Sequence, residues 1–235
     1  ADMVSRTGMN VTVHEVDVSD RYQVHRFAAE VVAAHGHVHL LINNAGVSLM
    51  ETLEDVTYDD FEWIMGINFW GVVYGCKAFL PYMKNEPEAH IVNISSVFGI
   101  FTYPSNGTYC ATKYAVRGYT ETLSQELRRT NVRVSCVHPG GIRTNIARNA
   151  RFYKSHIEDM DREQTTTMFE NVAAKTTADE AACIIIEGIL KNKHRILVGK
   201  DAYLFDWLKR LMPITFQKLA AMTTEPRLAK LLNKR

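Results

Sequence analysis

Tyr109 and Lys113 stand four residues apart in Tyr109-Cys-Ala-Thr-Lys113. Residues at i and i+4 share one face of a helix, so this spacing sets an ammonium beside a phenol. A phenol gives up its proton near pH 10, and a neighbouring cation favours the phenolate. The pair therefore predicts a Tyr109 pKa lowered by about two or three pH units, making an acid/base usable near neutrality. Such pairs are common on helix surfaces, so their meaning rests on what accompanies them.

Three apolar runs end in polar or glycine-rich loops. His90-Ile-Val-Asn-Ile-Ser-Ser96 ends thirteen residues before Tyr109, and Ser96 is preferred over Ser95 on that spacing. Val38–Ile42 leads into Asn43-Asn44-Ala45-Gly46, and Val132–Val137 leads toward Pro139-Gly140-Gly141-Ile142-Arg143-Thr144. Short apolar runs of this kind read as buried strands. In open parallel sheets, ligands bind beyond the carboxyl ends of the strands.

The intervening segments have helical patterns. Asp20 to Ala34 reads as an amphipathic helix, with Asp17 or Ser19 as candidate caps. Thr57 to Met83 reads as a long helix broken near Gly71, with Asp59 and Asp60 in its first turn. Helices at Tyr109 to Arg129 and Asp179 to Lys191 follow, then a strand at Arg195 to Val198. Alternating strands and helices predict an α/β fold, a doubly wound parallel sheet in three αβα layers. A chain of 235 residues, 46% of them hydrophobic, suits one domain. We divide it into a catalytic part over 1–200 and a helical extension of the same domain over 201–235.

In their order and spacing, Asn43-Asn44-Ala45-Gly46, Ser96, Tyr-x-x-x-Lys and Pro139-Gly140 resemble the classical short-chain dehydrogenase/reductase (SDR) family over about residues 10 to 200. The resemblance implies a Rossmann-like fold, NAD or NADP as cofactor, and hydride transfer between the cofactor and a secondary alcohol or ketone. Tyr109 would then be the acid/base, with Ser96 holding the substrate oxygen. Lys113 would tune Tyr109 and bind the nicotinamide ribose. Asn68, in Gly66-Ile-Asn-Phe-Trp-Gly71, matches the family asparagine that holds a relay water. Cofactor contacts carried over in the same way are Asp17, Val18, Asn44, Ala45, Gly46, Tyr109, Lys113, Pro139, Gly140, Ile142 and Thr144. The alternative reading of Thr144 is a simple helix cap. The family pattern also implies a homodimer or homotetramer built from helices at about 68 to 84 and 109 to 129.

One family element is not found. The first 35 residues contain a single glycine, Gly8, and no Thr-Gly-x-x-x-Gly-x-Gly turn to bring backbone against a pyrophosphate. Val11–Val18 resembles the family's third strand. Two strands should lie between it and Val38–Ile42, a gap too wide for hydrogen bonding at ~4.8 Å per strand. The expectation is that the physical molecule carries roughly 40 to 50 more N-terminal residues, the size of a βαβ piece. The absent turn also motivates the rival reading, a catalytically silent dinucleotide-sensing or interaction protein. Epimerisation or dehydration through a transient ketone is a third reading.

A net charge of +1 gives no electrostatic case for nucleic acid. Cys76, Cys110, Cys136 and Cys183 lack C-x-x-C spacing and read as reduced, buried thiols of a cytoplasmic protein. His35, His37 and His39 alternate before a strand, and read as a surface cluster rather than a metal site. Arg143 to Thr167 falls where the family carries a substrate lid, about 143–175. Phe152, Tyr153, Met160 and Met168 would give that lid an apolar underside suited to a lipophilic substrate. Ala202 to Met212 is an amphipathic helix stopped by Pro213, and Ile214 to Met222 is a further apolar patch before a basic tail with Arg227, Lys230, Lys234 and Arg235. We read the helix as packing on a neighbouring subunit or the lid, in preference to a membrane surface.

Overall fold

The alternation of apolar patterns becomes an alternation of strands and helices in the computed structural model, which describes residues 10–153 and 161–222. Its strands are β1 (Leu40–Asn43), β2 (Leu49–Met50), β3 (Ala89–Ile94), β4 (Val132–Pro139), β5 (Arg151–Phe152) and β6 (Arg195–Val198). The order β1-β3-β4-β6 forms a parallel sheet, in register at Ile42 with Val92, Asn93 with Cys136 and Val137 with Ile196. Strands β2 and β5 pair separately.

The helices are α1 (Arg21–His35), α2 (Tyr58–Met65), α3 (Gly71–Met83), α4 (Gly107–Glu126), α5 (Arg162–Met168), α6 (Ala178–Leu190), α7 (Lys200–Leu211) and α8 (Thr215–Met222). Their starts follow local chemistry. Thr57 accepts the Asp60 N–H to begin α2, and Thr177 and Glu180 form a reciprocal capping box on α6. Gly36, at φ 78°, closes α1 in the left-handed region.

Successive residues of a strand face opposite sides of a sheet, and the core divides accordingly. Ile91, Val132 and Val134 pack with α1, α3 and α4, whereas Val92, Val137 and Val198 pack with α6. The result is the Rossmann-like αβα arrangement, a parallel sheet with helices on both faces.

Several sequence expectations need correction. Val11–Val18 is not a strand; Val11 and Val13 are exposed, and His14 and Thr12 tie the segment to Glu30 and His35 of α1. The reason is pairing: among the described residues, β1 bonds to β3 alone and nothing bridges from its other edge to this segment. The cap of α1 is Asp20, not Asp17 or Ser19, because its carboxylate accepts the N–H groups of Tyr22 and Gln23. Cys183 is exposed on the outer side of α6, unlike the buried Cys76, Cys110 and Cys136. Of the three histidines, His37 and His39 flank Glu86 at 3.6 and 3.3 Å, while His35 bonds to Thr12. No group of metal-ligating side chains is present among the described residues.

Candidate active site

Strand β3 ends at Ile94 and delivers two serines with different partners. The Ser95 hydroxyl donates to the Lys113 carbonyl at 2.9 Å, so it locks the strand end to α4. Ser96 caps a short 3-10 turn (Val97–Gly99) by accepting the Phe98 N–H at 3.1 Å, and its side chain also hydrogen-bonds Tyr109. Geometry thus puts Ser96, and not Ser95, against the phenol. The Phe98 ring closes over Tyr109 edge-on, with centroids 6.1 Å apart.

Helix α4 begins at Gly107 and carries Tyr109 and Lys113 along one face, as their spacing predicts. The Lys113 Nζ lies 5.5 Å from the Tyr109 ring centroid and donates to the Ile94 carbonyl at 3.0 Å. The expected lowering of the Tyr109 pKa is not what this geometry produces. Burial pushes the phenol up to about 12, and the Ser96 hydrogen bond only partly opposes it. Burial likewise brings Lys113 down to about 8. In both groups desolvation moves the pKa toward the neutral form, and it is the largest cause of each shift.

Asn68 is fully buried in a π-helical turn, Gly66–Trp70, that links α2 to α3. π-turns of this kind recur at functional sites. The Asn68 amide accepts the Val47 N–H at 2.8 Å and donates to the Val47 carbonyl at 2.9 Å and to the Thr112 hydroxyl at 3.2 Å. It therefore clamps the loop after β1 to α4. Both its amide hydrogens are committed, so this side chain acts first as a clamp, which the expectation of a water ligand did not include.

The loop after β1 comes close to the lysine. A Cβ placed on Gly46 would lie 3.3 Å from Asn68 Oδ1 and 3.6 Å from Lys113 Nζ. Asn44, Ala45 and Val18 line a cavity of about 140 Å³ together with Val16, Ile42 and Gly71. This mostly apolar slot suits the faces of a planar ring, and the bare Gly46 backbone suits a close polar ligand beside the ammonium. Asp17 is exposed and holds the Ser19 N–H and hydroxyl in a turn.

The loop after β4 is used differently. Gly140 N–H donates to the Val198 carbonyl at 2.9 Å and Gly141 N–H to the Asp201 carboxylate at 2.7 Å. A Cβ on Gly140 or Gly141 would collide with Asp201 or with the Ala173 backbone. These glycines admit the protein's own chain, so their backbone donors face inward. Pro139 ends β4, Ile142 bridges to Thr176, and Thr144 is exposed with no helix starting at it.

Two contributors escaped the sequence reading. Asp201 seats the Gly140–Gly141 loop from sixty residues away, and no local pattern announces it. His138, fully buried, hydrogen-bonds the Ser96 carbonyl through Nδ1 at 3.0 Å, and burial lowers its pKa to about 4. A carbonyl can only accept, so Nδ1 carries the proton. Its place one residue before Pro139 was visible, but its partner was not.

The lid region is structured in part. Arg143 donates to the Ala174 carbonyl, Arg148 pairs with Glu170, and Arg162 donates to the carbonyls of Arg148 and Ala150. Phe152 and Met168 are half-buried and Tyr153 is exposed. Met160 lies outside the described residues, as do Arg227, Lys230, Lys234 and Arg235.

The profile described as short chain dehydrogenase matches residues 1–154. SadH of Mycobacterium tuberculosis is 41% identical over 217 residues, covering 91% of this chain and 77% of SadH. A 3-ketodihydrosphingosine reductase of Bacteroides thetaiotaomicron is 38% identical over 134 residues, covering 57% of this chain and 50% of the enzyme. Among solved structures, a short chain dehydrogenase/reductase of Burkholderia phymatum in complex with NAD superposes with a TM-score of 0.79 at 31% identity. That match covers 89% of this chain and 78% of the other.

Proposed function

The chain belongs to the short chain dehydrogenase family, and we propose that it transfers a hydride between NAD or NADP and a secondary alcohol or its ketone. The observation that carries this reading is the contact of the Tyr109 and Ser96 side chains, with Lys113 Nζ 5.5 Å from the phenol ring. The bound dinucleotide supplies the hydride in reduction and accepts it in oxidation.

In the reductive direction a carbonyl oxygen between Ser96 and Tyr109 accepts hydrogen bonds from both hydroxyls. Tyr109, protonated at neutral pH because burial holds its pKa at about 12, donates the proton that the reduced oxygen requires. Lys113, with its pKa near 8, can add positive charge beside the oxygen as it becomes an alkoxide. Asn68 keeps the Asn44–Gly46 loop at the distance from Lys113 that a ribose contact needs, through its bonds to Val47. The adenine side of the cofactor would occupy the slot lined by Val18, Asn44 and Ala45.

The aromatic wall of Phe98 and Tyr103, stacked at 6.2 Å, supports a lipophilic substrate. The name of the Bacteroides relative points to the same chemical class. Helices α3 and α4 would pair across a two-fold axis, for which the stacked Trp70 and Tyr74 offer a partly exposed aromatic surface. A light-scattering mass equal to one chain at micromolar concentration overturns that pairing.

The test begins with fluorescence titrations against NADH and NADPH, followed by turnover of a panel of ketones with whichever binds. Saturable binding with turnover supports the reading. Saturable binding without turnover on any ketone supports a dinucleotide sensor instead, and no binding by a folded sample removes both.

A further inference from the structure

Helix α7 has two apolar faces, and only one is used. Phe205, Leu208 and Met212 pack with Phe216 of α8 onto Val97 and Phe101, next to the candidate site. The other face carries Tyr203, Leu204, Trp207 and Leu211, each more than half exposed. At 3.6 residues per turn these positions form one stripe. Ile214, directly before α8, and Leu219 and Met222 on α8 are further exposed apolar side chains.

The charge around the stripe has one sign. Lys200, Arg210 and Lys218 are exposed on these two helices. The acids there are already engaged: Asp201 accepts the Gly141 N–H, and buried Asp206 takes both Arg195 and Arg210. Over residues 200–222 the chain has four Lys and Arg against two Asp, a net +2 in a molecule whose total is +1.

We propose that the outer face of α7 and α8 is a docking surface for an anionic lipid bilayer, lying in its interface. A Trp and a Tyr beside leucines, rimmed by Lys and Arg, match the depth profile of that interface, with apolar groups below and cations at the headgroups. No helix among the described residues is long and apolar enough to cross a membrane, so the contact lies on the surface. A second copy of this chain fits the charge less well. In a two-fold contact the same patch meets itself, bringing the exposed Lys200 and Lys218 together without free carboxylates on these helices to receive them.

The test is sedimentation of the full chain with vesicles of phosphatidylcholine alone, or with one-third phosphatidylglycerol. The expected result is binding that requires the anionic lipid and weakens with salt. Trp207→Gln with Leu211→Gln should reduce it about ten-fold by removing apolar contact. Lys200→Gln and Lys218→Gln should each reduce it about five-fold. All four side chains are exposed, and unchanged circular dichroism of the variants guards against unfolding. Equal binding to neutral vesicles, or binding to neither, overturns the proposal. So does a fall in light-scattering mass in the Trp207/Leu211 variant, which would assign the face to contact between copies.

Discussion

Among the described residues, the structure around Tyr109 is closed, whereas the surroundings of Val18 and Asn44 are open. Strand β3 has neighbours on both sides, and its end presents Ser95, Ser96 and the Ile94 carbonyl to α4 in fixed bonds. Strand β1 is bonded on one side among the described residues, and its Leu40 and Ile42 are nearly half exposed. Val18 lies against Gly71 of α3 instead of in a backbone ladder, and Asp17 bonds locally to Ser19. A strand bonded on both sides can hold a proton donor in a dry environment, which sets its pKa. An edge can supply walls for a ligand but little constraint. Tyr109 and Ser96 are thus held by fixed bonds, whereas the Asn44–Gly46 loop is held chiefly through Asn68.

The largest expected effect lies in the closed region. Tyr109→Phe should cut turnover by about 10²- to 10⁴-fold while leaving NADH or NADPH affinity and the thermal midpoint nearly unchanged. Retained turnover would mean that the phenol is not the acid, and the contrast between the regions would lose its functional meaning.

Acid should expose the closed region next. Folded His138 titrates at about 4, whereas an unfolded histidine does so near 6.5. Between those values the unfolded chain binds more protons, so stability is full above pH 6.5 and falls as pH drops toward 4. The loss is about 3 kcal/mol, to be read from urea midpoints across that window. His138→Asn should flatten the slope; an identical slope in this variant would show that other groups govern acid unfolding.

Asn68→Ala tests the link between the two regions. It removes the partners of the half-buried Val47 N–H and carbonyl and should cost about 1 to 2 kcal/mol. Because Val47 follows the Asn44–Gly46 loop, dinucleotide affinity should weaken as well. Denaturant melts with unchanged affinity would show that the loop holds its shape without the clamp. Asp17→Ala, at the open rim, should shift stability by no more than about 0.5 kcal/mol. A cost several times larger, measured in the same melts, would show that the rim is as tightly built as the centre.

Much of this was legible in local pattern. The strand over Arg195–Val198 was read with the bounds observed, and the helix break near Gly71 is the π-turn that ends at Trp70. Elements whose partners lie far away were read less well. Strands β2 and β5 are two residues each and exist through their pairing with one another, so no window of sequence could reveal them. Val11–Val18 has the composition of a strand, yet it forms no ladder.

By itself, the sequence determined the longer helices, the apolar strands β1, β3, β4 and β6, and that Tyr109 and Lys113 share a helix face, since periodicity, capping and i, i+4 spacing are properties of neighbouring residues. The tertiary structure alone decided that Ser96 meets the phenol while Ser95 holds the helix, that Asn68 clamps Val47, and that Asp201 seats the Gly140–Gly141 loop. It also decided that burial raises the Tyr109 pKa where its lysine neighbour predicted a lowering. Each of these depends on how much water is excluded and on which distant group arrives to replace it, and neither quantity is encoded in the few residues on either side.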